Sequence, residues 1–143
     1  MRITVETLIP APPDKVYAAL LDPETHAKTA GGKELVVAGN HPLVLNDEVT
    51  FEATHFGMRQ RLTARITLTD PPFAFEDTMT QGAFRRLHHR HEFRAEGEAC
   101  RMTDIMDFSS PLGSWLDRLV LGPYLKRFLV RRGLSLAQNF ARR

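Results

Sequence analysis

The chain has 143 residues, of which 43% are hydrophobic and 25% are charged, and its formal net charge is +2. This composition is typical of a folded globular protein and argues against an intrinsically disordered chain. Because the length suits a single hydrophobic core, we predict one domain spanning residues 1–143.

Three further features bear on where the protein works. No apolar run approaches the roughly 20 residues that a membrane-spanning helix needs, so we predict no integral membrane segment. Residues 1–5 lack the apolar stretch of a signal peptide. Cys100 is the only cysteine, which excludes an internal disulfide and favours a reducing, cytoplasmic location.

Basic residues are spread along the chain in pairs. A nucleic-acid-binding protein usually concentrates positive charge on one face, with aromatic residues between the charges. The dispersed pattern here is typical of solvated surface, and we predict no nucleic-acid partner. The pairs are Arg85-Arg86, Lys126-Arg127, Arg131-Arg132 and Arg142-Arg143.

The first elements are a strand and two short helices. Residues 2–9 alternate with period two, which predicts a strand. Pro13 suits the first turn of a helix, where its missing N–H has no partner in any case, and apolar residues follow at helical spacing. Asp22-Pro23 closes this helix and opens a second one that ends before Gly31-Gly32.

Strands separated by short turns follow. In the clearest of them, Leu62, Ile66 and Leu68 point one way, while arginines and threonines point the other way. This alternation predicts an antiparallel sheet with one charged, solvated face and one mostly apolar face. The predicted strands are residues 33–38, 43–46, 47–56, 58–69, 73–80, 84–95 and 99–109.

The C-terminal segment is predicted to cover the apolar face of the sheet. A helical stretch includes Trp115, Gly122-Pro123 breaks or kinks it, and a second helix runs to the end. Its apolar stripe consists of Leu125, Phe128, Leu129, Leu136 and Phe140. The expected fold is α+β: a curved antiparallel sheet of about six to seven strands wrapped around a long C-terminal helix, with two short helices after the first strand.

Two stretches carry a family resemblance. In residues 81–93 a glycine turn leads into alternating aromatic and histidine positions, and residues 107–113 read as a last strand followed by a Pro-x-Gly entry to a helix. Together with the order of elements, they resemble the START-like (SRPBCC) helix-grip superfamily, and within it bacterial polyketide cyclase/dehydrase-type proteins. The resemblance implies a ligand cavity between sheet and helix. It does not imply one reaction, because one fold hosts many functions.

Four ionisable residues fall on the apolar face of the predicted sheet: Asp77, His89, His91 and Asp104. They come from three consecutive strands, so we expect them to be neighbours. A buried polar group needs a partner, and a His–Asp network within the core is the simplest interpretation. The alternatives are polar groups that fix a ligand, or an acid/base pair in which His89, His91 or Asp104 is catalytic.

Metal binding is a weaker hypothesis for the same residues. His89 and His91 lie two apart on one strand and face the same way, which can place two ligands on one ion. No cysteine pair and no helical two-turn histidine motif accompanies them. We therefore predict no metal and no cofactor.

We predict binding of a small hydrophobic ligand (lipid-, polyketide- or aromatic-like) between sheet and helix, by a monomer or homodimer. The alternatives are a polyketide cyclase/dehydratase-type enzyme that uses a His/Asp pair, and a regulatory or interaction module with a filled core and no ligand. Glycine on the apolar stripe, at position 133, indicates either close helix–sheet packing or extra cavity room. The predicted ligand-binding residues are Leu62, Ile66, Phe75, Asp77, Met79, Leu87, His89, His91, Phe93, Asp104, Met106, Phe108, Phe128, Leu129 and Gly133.

Overall fold

The fold is built on one seven-stranded antiparallel sheet. A computed structural model describes residues 1–29 and 34–142. The strand order is β1-β7-β6-β5-β4-β3-β2, so the first strand in the chain lies beside the last. The strands are β1 (Arg2–Ile9), β2 (Glu34–Ala38), β3 (Glu48–His55), β4 (Met58–Asp70), β5 (Ala74–Gln81), β6 (Arg86–Glu96) and β7 (Ala99–Ser109).

Helices connect the edges of the sheet and cover one of its faces. Helices α1 (Pro13–Leu20) and α2 (Pro23–Thr29) lie in the chain between the two edge strands, β1 and β2. After β7 come α3 (Ser114–Leu116), a π-helical segment (Asp117–Leu121) and α4 (Gly122–Ala141). None of the helices in residues 1–29 and 34–142 combines the length and the hydropathy needed to cross a bilayer.

The expected break at Gly122-Pro123 is a change of helix type. The π-helical segment ends at Leu121, and α4 begins at the next residue without leaving the helical region. Pro123 has no N–H to donate to a carbonyl of the preceding turn, and the change from π- to α-helix takes place at the residue before it. The predicted apolar stripe is confirmed: Leu129, Leu136 and Phe140 are buried, and Leu125 and Phe128 pack beside them.

Close packing explains the glycine in the middle of α4. A Cβ atom added at Gly133 would lie 2.3 Å from the Thr7 Oγ1 and 3.1 Å from the Thr7 Cβ. A glycine in a helix costs about 1 kcal/mol relative to alanine, so its presence needs a compensating gain. Here the gain is the close approach of α4 to β1. Helix–sheet packing, and not extra room in the cavity, therefore explains Gly133.

Two local predictions about strands were wrong. Residues 43–46 form a loop, in which the Asp47 carboxylate accepts a hydrogen bond from the Val44 N–H at 3.0 Å and Asn46 has a positive φ of 73°. The alternation in β4 also ends early, because the register to β5 shifts between Ile66 and Leu68. An extra residue in one strand turns the following side chain to the other side, and Leu68 is accordingly exposed.

Some predictions fall on residues that the structure does not describe. The end of the second helix at Gly31-Gly32, the start of a strand at Lys33 and the last basic residue, Arg143, all lie outside the described ranges.

The buried side chains form two hydrophobic clusters. One lies under α1, where Tyr17 packs edge-on against Phe75 and Phe93 with ring centroids 5.6 and 5.5 Å apart. The other lies between α4 and the β1–β7 edge and contains Leu129, Met106 and Phe108 among others. The candidate site lies between these two clusters and strands β3 and β4.

Candidate ligand-binding site

A cavity of about 510 Å³ lies between the sheet and the C-terminal helical segment. Small-molecule sites in proteins are typically about 300–1,000 Å³ and mostly apolar, with a few polar groups. Most side chains around this cavity are aliphatic or aromatic, including Val49, Phe51, Ala64, Val120 and Leu121. The cavity therefore has the size and lining of a site for a small apolar molecule.

The structure brings eight of the predicted ligand-binding residues to the cavity wall and places seven elsewhere. The wall residues are Leu62, Ile66, Phe75, Asp77, Leu87, His89, Met106 and Phe128. The residues that do not line it are Met79, His91, Phe93, Asp104, Phe108, Leu129 and Gly133. Most of this second set is buried in the core.

The four predicted ionisable neighbours do meet. His89 Nε2 lies 2.9 Å from Asp104 Oδ1, and His91 Nε2 lies 3.1 Å from Asp77 Oδ2. The other ring nitrogen of His91 is 3.3 Å from Asp104 Oδ1. Because an ionised carboxylate can only accept, both Nε2 atoms carry the proton and donate it. His89 and Asp77 face the cavity, while His91 and Asp104 lie behind them.

Two further members of this cluster were not predicted. The Arg132 guanidinium donates to Asp104 Oδ1 at 3.1 Å and to His26 Nε2 at 2.9 Å, and it is only 3% exposed. The assignment of the Arg131-Arg132 pair to solvated surface was therefore wrong for Arg132, although Arg131 is exposed. The signal was present in the sequence, since position 132 lies three residues after Leu129 and four before Leu136, on the apolar stripe.

These contacts lower the pKa values of the two carboxyl groups and raise the pKa of His91. Burial alone would raise the pKa of Asp104, but hydrogen bonds from His89 and His91 and the charge of Arg132 hold it well below its usual value. Burial also opposes ionisation of Asp77, yet the His91 hydrogen bond lowers its pKa. For His91, burial is outweighed by the two carboxylates, and its pKa is raised.

The other two histidines of the cluster, His89 and His26, are neutral near pH 7. Burial, with the neighbouring His91 charge, lowers the pKa of His89 to about 4. Burial, with the Arg132 charge, lowers the pKa of His26 well below its usual value, which agrees with His26 Nε2 accepting from Arg132. The contacts within the cluster thus favour ionised Asp77 and Asp104 beside the Arg132 guanidinium.

Replacing His89 with Asn should make the protein less sensitive to acid between pH 6.5 and about 4. The folded-state pKa of about 4 lies below the usual 6.5, so in this interval the unfolded chain binds more protons. Wild-type stability therefore falls as the pH falls, and asparagine removes that contribution. Urea unfolding at several pH values measures it, with exposed His41→Asn as control. If the stability of His89→Asn depends on pH as strongly as that of wild type, the lowered pKa of His89 is contradicted.

A metal is a possible alternative occupant of the cluster. One ligand atom from each of Asp77, His89 and His91 lies within 4.8 Å of the others. The two imidazole rings are stacked, however, with centroids 3.9 Å apart and planes 24° apart. Ring lone pairs lie in the ring planes, so stacked rings do not aim them at one point. Hydrogen bonding within the cluster is the arrangement that the geometry favours, and the absence of a metal stays a prediction.

Exposed apolar residues mark where the cavity reaches the surface. Four large apolar side chains that line it are exposed: Phe56, Met58, Leu112 and Val120. They come from the β3–β4 turn with the first residue of β4, and from the segment that follows β7. The polar cluster lies instead on strands β5 to β7 and on α2 and α4, so the cavity has a mostly apolar mouth and a separate polar wall.

The curved sheet, the C-terminal helical segment of 28 residues (114–141) and the two short helices after β1 define a START-like helix-grip protein. The chain belongs to the polyketide cyclase / dehydrase and lipid transport family, whose profile matches residues 1–141. A search of curated proteins found no significant match.

Solved structures share the fold over nearly the whole chain. The Zhui aromatase/cyclase from Streptomyces sp. R1128 has a TM-score of 0.80 at 14% identity, covering 100% of this chain and 94% of that one. Protein TTHA0849 from Thermus thermophilus has a TM-score of 0.79 at 20% identity, with 99% and 97% covered. Ginseng major latex-like protein 151 from Panax ginseng has a TM-score of 0.74 at 15% identity, with 98% and 97% covered. At these identities the likeness concerns the fold.

Proposed function

We propose that the protein binds a small, largely apolar molecule in the cavity between the sheet and the C-terminal helix. The observation that carries the proposal is the cavity of about 510 Å³ with an apolar lining. Protein cores are normally packed to the density of an organic crystal, with few voids larger than a water molecule. A large apolar cavity loses these packing contacts unless a ligand fills it. Its presence therefore argues against the alternative of an interaction module with a filled core.

Thermal unfolding with added ligand tests this proposal. A ligand that binds only the folded state raises the unfolding temperature by mass action, increasingly with its concentration. We expect 1-decanol, an apolar chain, or 2-naphthol, a fused ring, to stabilise the protein in a saturable manner. If neither molecule, nor any member of a wider panel of lipids and aromatic polyketides, stabilises it, the proposal is wrong.

A catalytic role for His89 is a second candidate, favoured by one specific observation. The His89 imidazole lines the cavity and donates through Nε2 to the buried Asp104 carboxylate, so its Nδ1 carries a lone pair. Its lowered pKa keeps it neutral, and Asp104 fixes its tautomer. A neutral imidazole held in this way can remove a proton beside a carbonyl group, which is the first step of an aldol-type cyclisation or dehydration.

Proton exchange in an apolar ketone tests the second candidate without a known substrate. We expect the protein to accelerate exchange of the α-protons of 2-tetralone with deuterated solvent, as followed by NMR, and His89→Gln to remove the acceleration. His88→Gln is the matched control, because His88 pairs with Glu76 on the opposite face of the same strand. Equal rates with wild type and His89→Gln would exclude His89 as the base.

A further inference from the structure

The polar wall of the cavity limits which polar group a ligand can carry. We propose that the cavity selects apolar molecules bearing an uncharged hydroxyl group over those bearing a carboxylate. This inference rests on the proposed ligand-binding function and names the class of ligand.

Two carboxyl groups face the cavity. Asp77 lines it with a side chain that is 24% exposed, and its hydrogen bond to His91 uses Oδ2. Glu34 lines it as well, and its Oε2 is buried without a hydrogen-bond partner among the described residues. Both groups present oxygen atoms to a bound molecule, which suits a ligand that donates a hydrogen bond and repels one that carries a negative charge.

The two arginines that line the cavity already have carboxylate partners. Arg132, which is buried, donates to Asp104 and to His26, and Arg61, which is exposed, donates to Glu52 at 2.8 Å. A ligand carboxylate would therefore add a negative charge that no unpaired positive group among the described wall residues compensates. Burying an unpaired ion is far more costly than burying a hydroxyl that finds one acceptor.

A ligand ammonium group would add a buried charge of the opposite sign. Asp77 could attract it, but Asp77 Oδ2 already accepts a hydrogen bond from His91. Burial raises the pKa of Glu34 to about 7, so near neutral pH this carboxyl group supplies only part of a compensating charge. A hydroxyl group requires no new charge, because it donates to the Asp77 carboxylate while the apolar part fills the remaining volume.

Calorimetric titration with matched ligands at pH 7.5 tests the selection. The pairs are 1-decanol with decanoate, and 2-naphthol with 2-naphthoate, with decylamine as the cationic member. We expect each hydroxyl compound to bind at least about tenfold more tightly than its carboxylate, and 1-decanol to bind more tightly than decylamine. Asp77→Asn and, independently, Glu34→Gln should each reduce the preference over the carboxylate by about threefold or more.

Glu76→Gln is the matched control, because Glu76 precedes Asp77 on β5 and pairs with His88 and Arg90 on the other face. It should leave the preference unchanged. Carboxylates that bind as tightly as the hydroxyl compounds, or decylamine that binds more tightly than 1-decanol, would overturn the selection while the binding function stands. If none of the five compounds binds, the selection fails together with the proposed function.

Discussion

Arg132→Met should lower the free energy of unfolding by about 3–5 kcal/mol, the usual result of removing one partner of a buried ion pair. The substitution preserves most of the apolar stem but removes the hydrogen bonds to Asp104 and His26. The Asp104 carboxylate, fully buried, then has only the histidines as partners. Urea unfolding at pH 7 measures the difference.

Arg131→Met provides the matched control, since Arg131 is the preceding residue of α4 and is exposed. A surface substitution of this kind changes stability by about 0.5 kcal/mol or less. Equal effects of the two substitutions would mean that Arg132 is not the buried centre of the charge cluster.

Ala64→Phe should reduce the affinity for 1-decanol or 2-naphthol by at least about tenfold while the protein remains folded. Ala64 lies on the cavity wall in the middle of β4, between Leu62 and Ile66, and is 4% exposed. A phenyl group there occupies space that a ligand would otherwise fill. Because it fills a void rather than a packed region, we expect little of the destabilisation that overpacking causes elsewhere.

Thr67→Phe adds a phenyl group to the same strand at an exposed position, so it controls for the added apolar surface. We expect it to bind both compounds like wild type in the same titration. Wild-type affinity in Ala64→Phe, with unfolding measured in parallel to show an intact fold, would place the binding site outside this cavity.

Alternation along the strands was sufficient to predict the sheet and the His–Asp neighbours. Side chains that share a face of paired strands must be close, and the register of β6 with β7 sets His91 opposite Asp104. The same rule holds between β5 and β6, where Asp77 lies opposite His89. Local periodicity therefore determined which polar groups meet.

The alternation of apolar and polar residues could not distinguish the side chains that line the cavity from those buried in the core. Phe75 and Phe93 both point to the concave side, but only Phe75 reaches the cavity, although Tyr17 of α1 packs on both. How deeply a helix covers each part of the sheet depends on long-range packing, which has no period in the sequence. The same limit applies to His26, which reaches the cluster from α2 through Arg132.

The sequence contained only a weak indication that Glu34 faces the cavity. Its partner across β2 and β3 is Ala53, which lines the cavity, so residue 34 shares that face. One glutamate at the start of a short edge strand reads as solvated surface on composition alone. Only the paired register indicates that it faces the cavity.

Methionine methyl NMR during titration with 1-decanol tests the binding cavity most directly. Met106 lines the cavity, whereas Met102 is fully buried in the neighbouring cluster and does not. We predict a saturable shift of the Met106 methyl resonance, with a much smaller change at Met102. An unchanged Met106 resonance at ligand saturation, or equal shifts at both residues, would contradict ligand binding between the sheet and the C-terminal helix.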